Sequence, residues 1–209
     1  MIMAPKKKST TCETILNEAQ YLFLARGFAG TSVDDICRQA KITKGGFFHH
    51  FKTKESLAKQ VLEKFCSHSR EEMRQAGCCQ DVSDPFDRVL ALLDGIPSAM
   101  FKKNKHRGCL ITTFIQELSD SHPEIQSLCL KGLNEWAALL KTDLKLAKEK
   151  YIPDSSIDIP SLANHCIAVI EGAQIMAKAS ADRHVFDESL KHLKQYLTLT
   201  FKIKQRRVS

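Results

Sequence analysis

The run KITKGGFFHHFKTKESL, residues 41–57, crowds four lysines, three phenylalanines, two glycines and two histidines together. Adjacent histidines raise the question of a metal. Neighbours on a helix point about 100° apart, however, and metal-binding helices place their ligands at i and i+4. His50 and Lys54 have that spacing, but lysine is no zinc ligand. Cys78 and Cys79 sit in a loop-like stretch and offer a second metal or redox candidate, with two idle thiols as the plainer reading. A nucleophile needs a base and an orienting group. His165 and Cys166 are sequential, so on a helix they diverge, and the G-x-S-x-G, H-E-x-x-H, Walker and G-x-G-x-x-G patterns are absent. No metal and no cofactor are therefore expected, and the chain does not read as an enzyme. A helical thiol-dependent enzyme or redox protein is kept as the alternative.

Polyanion recognition suits the same residues better. On a helix over 44–51, Phe47 and Phe51 share one face, with Ile42 placed to staple beneath them. Lys44, Gly45, Gly46, Phe48, His49 and His50 then point outward. Glycines remove bulk where another backbone must come close. The free N–H groups and positive dipole end of a helix start favour phosphate. Lys44, Lys52 and Lys54 add charge, and a major groove about 12 Å wide admits such a helix.

The surrounding elements are read as helices throughout. Ile15, Leu16, Ala19, Leu22 and Phe23 line one face of a first helix that Gly27 ends. Ser32 and Asp35 form a capping-box variant that starts a second, carrying Val33, Ile36 and Ala40. Thr43 caps the third, and KTKESL starts a fourth with Leu57, Val61, Leu62 and Phe65 inward. Short helix, tight turn, short helix is the helix-turn-helix pattern. Further helices are expected at about 85–103, 107–119, 123–150, 160–181 and 186–204. The fold class is all-α. A disordered basic arm over 1–9 precedes a helix-turn-helix domain over 10–57 and a larger helical ligand-binding and dimerisation domain over 58–209.

Charge follows this division. Residues 1–64 hold 11 Lys/Arg against 6 Asp/Glu, residues 65–190 hold 14 against 18, and residues 191–209 hold 6 against none. A basic head on an acidic body fits polyanion binding. No apolar run approaches the ~18–20 residues that span a bilayer, and no signal peptide is read at the N-terminus. Eight scattered cysteines without a C-x-x-C pair point to reduced thiols in the cytoplasm rather than a secreted disulfide framework.

The stretch GFAGTSVDDICRQAKITKGGFFHHFKTKESL resembles the DNA-binding domain of the TetR/AcrR family of bacterial one-component regulators, and the likeness covers residues ~12–65. RGCLITTFIQELSDSHPEI resembles the GCL…E…PE stretch of one subgroup. The resemblance implies a transcriptional regulator, a repressor, acting as a homodimer on double-stranded operator DNA. A small-molecule inducer or electrophile, of unknown identity, would release it from a palindromic operator. It also implies that Ser32 and Thr43 hold phosphates from the helix starts, that Lys44, Gly45, Gly46 and His49 lie against base edges or the adjacent backbone, and that His50 and Lys54 hold phosphates. Phe48 stands where the family has tyrosine, so the phenolic hydroxyl is missing. An apolar contact with a thymine methyl or a sugar is the substitute. Lys41 stands where the family has a turn glycine, and Cys37 where it has alanine.

In the regulatory part, Leu190, Leu193, Leu197 and Phe201 form one stripe of the last helix, and Tyr196, Leu199 and Ile203 another. The helix before it offers Leu162, Cys166, Val169, Ile170, Ala173 and Ala177, with Gly172. A helix apolar on two faces needs two partners. Val169, Ala173, Leu193, Tyr196, Leu197 and Phe201 are the expected dimer contacts, against a single bundle that buries both faces within the chain. Phe86, Met100, Phe114, Trp136 and Met176 are candidates to line a ligand cavity between helices, although most such residues are core. Cys109, following Lys102, Lys103, Lys105, His106 and Arg107, is a candidate sensor thiol. Cationic neighbours and a helix start favour thiolate, while an ordinary buried cysteine is the plainer reading.

Overall fold

A computed structural model describes residues 10–76, 82–101 and 108–202. The expected basic arm up to Ser9, the basic tail from Ile203 on, Cys78, Cys79 and the cations of residues 102–107 lie outside the described residues. Within them, nine α-helices and no strand are found. Two compact units form, and they are not consecutive stretches meeting at 57/58. One holds the described residues up to Phe65 together with Leu110–Cys129; the other holds Cys66–Cys109 and Leu130 onward.

The first unit starts with α1, Thr11–Arg26. Thr10 and Glu13 cap it reciprocally, satisfying two otherwise orphaned N–H groups. Gly27 stops it at φ 78, in the region that favours glycine. Helix α2, Val33–Ala40, is boxed by Ser32 and Asp35: the Ser32 hydroxyl accepts Asp35 N–H at 3.1 Å, and Asp35 accepts Ser32 N–H at 3.1 Å. Lys41 ends it in the left-handed conformation at φ 56, ψ 46, with Ile42 N–H donating to the Cys37 carbonyl at 3.0 Å. That six-to-one bond is the Schellman closure. Thr43 caps α3, Lys44–His50, by accepting Gly46 N–H at 3.1 Å. The unit also contains the start of α4 (Lys54–Ala76), α6 (Leu110–Leu118) and the start of α7 (Pro123–Tyr151), with α5 being Pro85–Met100. Ile15, Phe23, Ile36, Phe47, Phe51, Leu57, Val61, Leu62 and Phe114 form its core. Leu16 and Phe65, expected inward, are half-buried.

The second unit contains α5, the bulk of α7, α8 (Ile159–Ser180) and α9 (His184–Thr200). Phe86 packs on Phe201 at 5.2 Å between centroids, and Phe101 on Phe186 at 5.0 Å. Asp84 ties α5 to the end of α7. One carboxylate oxygen caps Phe86 and Asp87 N–H, and the other accepts from Lys150 and Tyr151. Burial pushes the Asp84 carboxyl up, but Lys150, Tyr151 and the two amides together hold it well below the usual carboxylate range. Arg88 adds a second tie, donating to Asp143 at 2.9 and 2.6 Å.

Candidate nucleic-acid interface

Two side chains anchor α3 inward: Phe47 is 0% and Phe51 1% exposed. The remaining positions face solvent. Phe48 is 53% exposed, its ring standing edge-on to Phe47 at 5.2 Å and 84°. That contact fixes where the exposed ring points. His49 and His50 are exposed, with ring centroids 5.1 Å apart. Among the described residues, no group of three His, Cys, Asp or Glu side chains is placed to hold a metal.

Gly45 and Gly46 are open. An added Cβ at Gly45 would meet only the Thr43 hydroxyl, at 3.8 Å, and one at Gly46 would stay 3.5 Å from it and 3.8 Å from Ile42 Cβ. Neither glycine has a positive φ. The fold therefore does not require glycine at either position, although glycine inside a helix is costly. Their smallness leaves the start of α3 open to approach from outside.

The polar groups of this face are pre-arranged. Lys44 pairs with Asp34 at 2.8 Å, both largely exposed, and the Asp34 hydrogen bond raises the lysine pKa. The Ser32 hydroxyl donates to Asp35 at 2.6 Å, which with the Ser32 backbone hydrogen bond lowers the Asp35 carboxyl. Thr43 keeps its hydroxyl hydrogen for an outside acceptor while its oxygen caps the helix. Lys54 departs from its expected position as a phosphate ligand. Its ammonium is part-buried, donating to the carbonyls of Phe28 and Thr31 at 3.0 Å each and lying 4.0 Å from the Phe28 ring centroid. It braces the α1–α2 turn.

The regulatory candidates fall in both units, Phe114 in the first and the others in the second. Phe114 lies in the core of the first unit, against Phe23 at 5.4 Å. Phe86 is 1% exposed against Phe201, and Trp136 is 4% exposed, so both are core side chains. Met100 is half-buried at the end of α5, while Met176 is exposed on α8 rather than turned into a cavity. A groove of about 440 Å³ does occur in the second unit, lined by Lys145, Lys148, Pro153, Ile157 and neighbours, none of them anticipated.

The expected dimer contacts also need correction. Ala173, Leu193, Leu197 and Phe201 are at most 4% exposed and are spent within the chain, on the packing of α5, α8 and α9. The free apolar face consists of Ile175, Met176, Tyr196 and Leu199, with Val169 half-buried beside them. Tyr196 meets His165 at 5.4 Å, joining the α8 and α9 parts of this face. A Cβ at Gly172 would meet nothing within 4 Å. Ile175 extends this exposed face at the i, i+3 spacing from Val169 through Gly172, although the sequence reading did not name it.

Thiol chemistry finds little support at His165 and Cys166. Burial pushes the Cys166 thiol up to about 12, and His165 faces Tyr196 instead. Cys109 is 3% exposed, immediately before α6. Beside it, a Cβ on Gly108 would stand 3.8 Å from the Lys178 ammonium.

The pattern of bacterial regulatory proteins of the tetR family matches residues 15–61, and that of the tetracyclin repressor-like C-terminal domain matches residues 85–193. The chain belongs to the TetR family. Its curated relatives include the transcriptional repressor DhaR of Mycobacterium sp. (strain GP1), 27% identical over 90% of this chain and 88% of that protein. The transcriptional repressor NemR of Escherichia coli K12 is 27% identical over 90% and 94%. The solved structure of E. coli NemR in its reduced form superposes with a TM-score of 0.75 at 26% identity, covering 88% of this chain and 95% of that one. A TetR regulator from Chloroflexus aurantiacus reaches 0.80 at 26% identity, over 90% and 94%. As a TetR-family member the chain is a DNA-binding transcriptional regulator, with Val33–His50 as its helix-turn-helix; its relatives are regulators, not enzymes. TetR-family regulators bind operator DNA and act as dimers. Among the described residues no helix is long and apolar enough to cross a membrane.

Proposed function

We propose that this TetR-family chain is a ligand-responsive repressor whose homodimer reads a palindromic operator with α3. The observation that carries the reading is the open pair Gly45–Gly46, which the fold does not need, set between Lys44 and the exposed Phe48 and His49. Lys44, Gly45, Gly46, Phe48 and His49 meet base edges and the adjacent backbone, while Thr43 and His50 take phosphates, and Ser32 does so once its hydroxyl leaves Asp35. Lys54 supports the reading unit from within. The Ile175, Met176, Tyr196 and Leu199 face joins the second protomer, which sets two α3 helices about 34–36 Å apart for successive major grooves. Both of the named relatives, DhaR and NemR, are repressors.

Release follows from differential affinity: an inducer must favour a spacing of the two heads that does not fit the operator. Cys109 is the thiol assigned to an electrophile, with Lys178 as a nearby cation. Its burial restricts the reagent to a small one, or to moments of local opening. Selection of bound fragments from random duplex DNA, followed by release with N-ethylmaleimide, tests this. Wild-type protein is expected to leave the selected DNA and Cys109→Ser to stay. Equal release of both would remove Cys109 from the account.

A further inference from the structure

Within the first unit, the turn between α1 and α2 is clasped from two sides. Gly27 ends α1 at φ +78, and a Cβ there would fall 2.8 Å from the carboxyl carbon of Glu117. The carboxylate occupies the space a side chain would need. Its Oε2 accepts the N–H of Ala29 at 2.8 Å, across 88 residues of sequence. Between these contacts, the Phe28 ring meets Phe23 at 5.6 Å, Phe114 at 6.1 Å and His122 at 6.1 Å. Lys54 holds the opposite side through the Phe28 and Thr31 carbonyls. Thr31 is fully buried and donates its hydroxyl to the Gly27 carbonyl at 2.8 Å. The next residue, Ser32, caps α2, and the α2 end leads through Lys41 to the Thr43 cap of α3. Where the turn sits therefore decides where both helices begin.

We propose that Glu117 is a positioning residue for DNA recognition: carried on α6, its carboxylate holds the Gly27–Ala29 turn so that α2 and α3 stand ready for duplex DNA. The proposal rests on the reading of α3 as the DNA-facing helix, and it adds the point at which α6 grips that unit. Simple electrostatics gives the opposite expectation for this residue, because an acid in a DNA-binding unit repels phosphate and its removal would tighten binding.

The test uses Glu117→Ala and Glu117→Gln, duplex DNA selected by the wild-type protein, a series of salt concentrations, and amide exchange of the DNA-free proteins. Glu117 is exposed, so neither substitution opens the core. Glu117→Ala is expected to bind about fivefold more weakly at every salt concentration, the worth of one ordinary hydrogen bond. Its salt slope stays parallel to that of the wild type, and its Ala29 amide exchanges faster. Glu117→Gln keeps a carbonyl acceptor for Ala29 and is expected within about twofold of wild type. Tighter or unchanged binding by Glu117→Ala overturns the positioning role, even if exchange is faster. A wild-type protein that selects no duplex defeats the reading of α3 instead. The grip of α6 on the turn is then decided by Ala29 exchange alone: faster in the alanine variant than in glutamine supports it, and equal rates overturn it.

Discussion

Phe48 places an apolar ring on the outer face of α3, edge-on to Phe47 and more than half exposed. A buried partner fixes its direction, so restoring the hydroxyl that the family carries there should cost no rearrangement. Phe48→Tyr is expected to tighten operator binding about fivefold, one neutral hydrogen bond, without changing the salt slope, because a hydroxyl releases no counterion. A steeper slope in a filter or fluorescence titration would contradict that account. Lys41 shows a different kind of legibility. Its left-handed conformation was readable because lysine occupies a helix end where glycine is expected, and the structure places it at φ 56. Lys41→Gly relieves strain that outweighs the extra chain freedom of glycine, so unfolding in urea should show a gain of up to about 1 kcal/mol. A loss of stability would mean that the turn carries no strain. Lys54 was not legible at this level. A flexible lysine at a helix start has the same sequence signature whether it reaches for phosphate or, as here, folds back onto two carbonyls.

Helix positions were the most legible feature, since caps and periodicity act locally. Ser32 with Asp35, Thr43, and Pro123 each start a helix where the sequence signals do. The use of helix faces was less legible. In α9 both stripes are apolar, and composition alone does not say which one the chain consumes. The structure gives Leu193 and Leu197 to the core and leaves Tyr196 and Leu199 outside, Leu199 at 78% exposed. Leu199→Glu is therefore expected to leave the fold intact and yield a monomer at micromolar concentration by light scattering. Leu197→Glu should unfold the unit instead, because it buries an unpaired charge. A dimeric Leu199→Glu protein would move the interface elsewhere. At the α5–α7 junction, the lowered Asp84 carboxyl makes a pH statement. Its folded-state pKa lies below the unfolded value of about 3.9, so its contribution is present above that pH and lost as pH falls through the folded value. Asp84→Asn, which keeps a capping oxygen, should cost about 1 kcal/mol at pH 7. The difference from wild type should shrink below about pH 4. A constant difference down to pH 2 would exclude the charge as its source.

At the scale of the whole chain, interleaving of the two units was beyond the reach of a linear reading. Helix α6 follows α5 in sequence yet joins the compact unit of α1–α3, through Phe114 and Glu117. A contact spanning 88 residues leaves no periodic signature. The basic head, by contrast, was legible in composition, and it leads to the most direct test of the account. Affinity for selected duplex DNA should fall linearly on logarithmic axes between about 50 and 200 mM salt, as phosphate neutralisation requires. Lys44→Ala combined with His49→Ala should abolish most of that affinity while leaving helicity and dimer intact. A wild-type protein indifferent to duplex DNA, or a doubly substituted one that binds as tightly as wild type, would contradict the assignment of α3 as the helix that reads DNA.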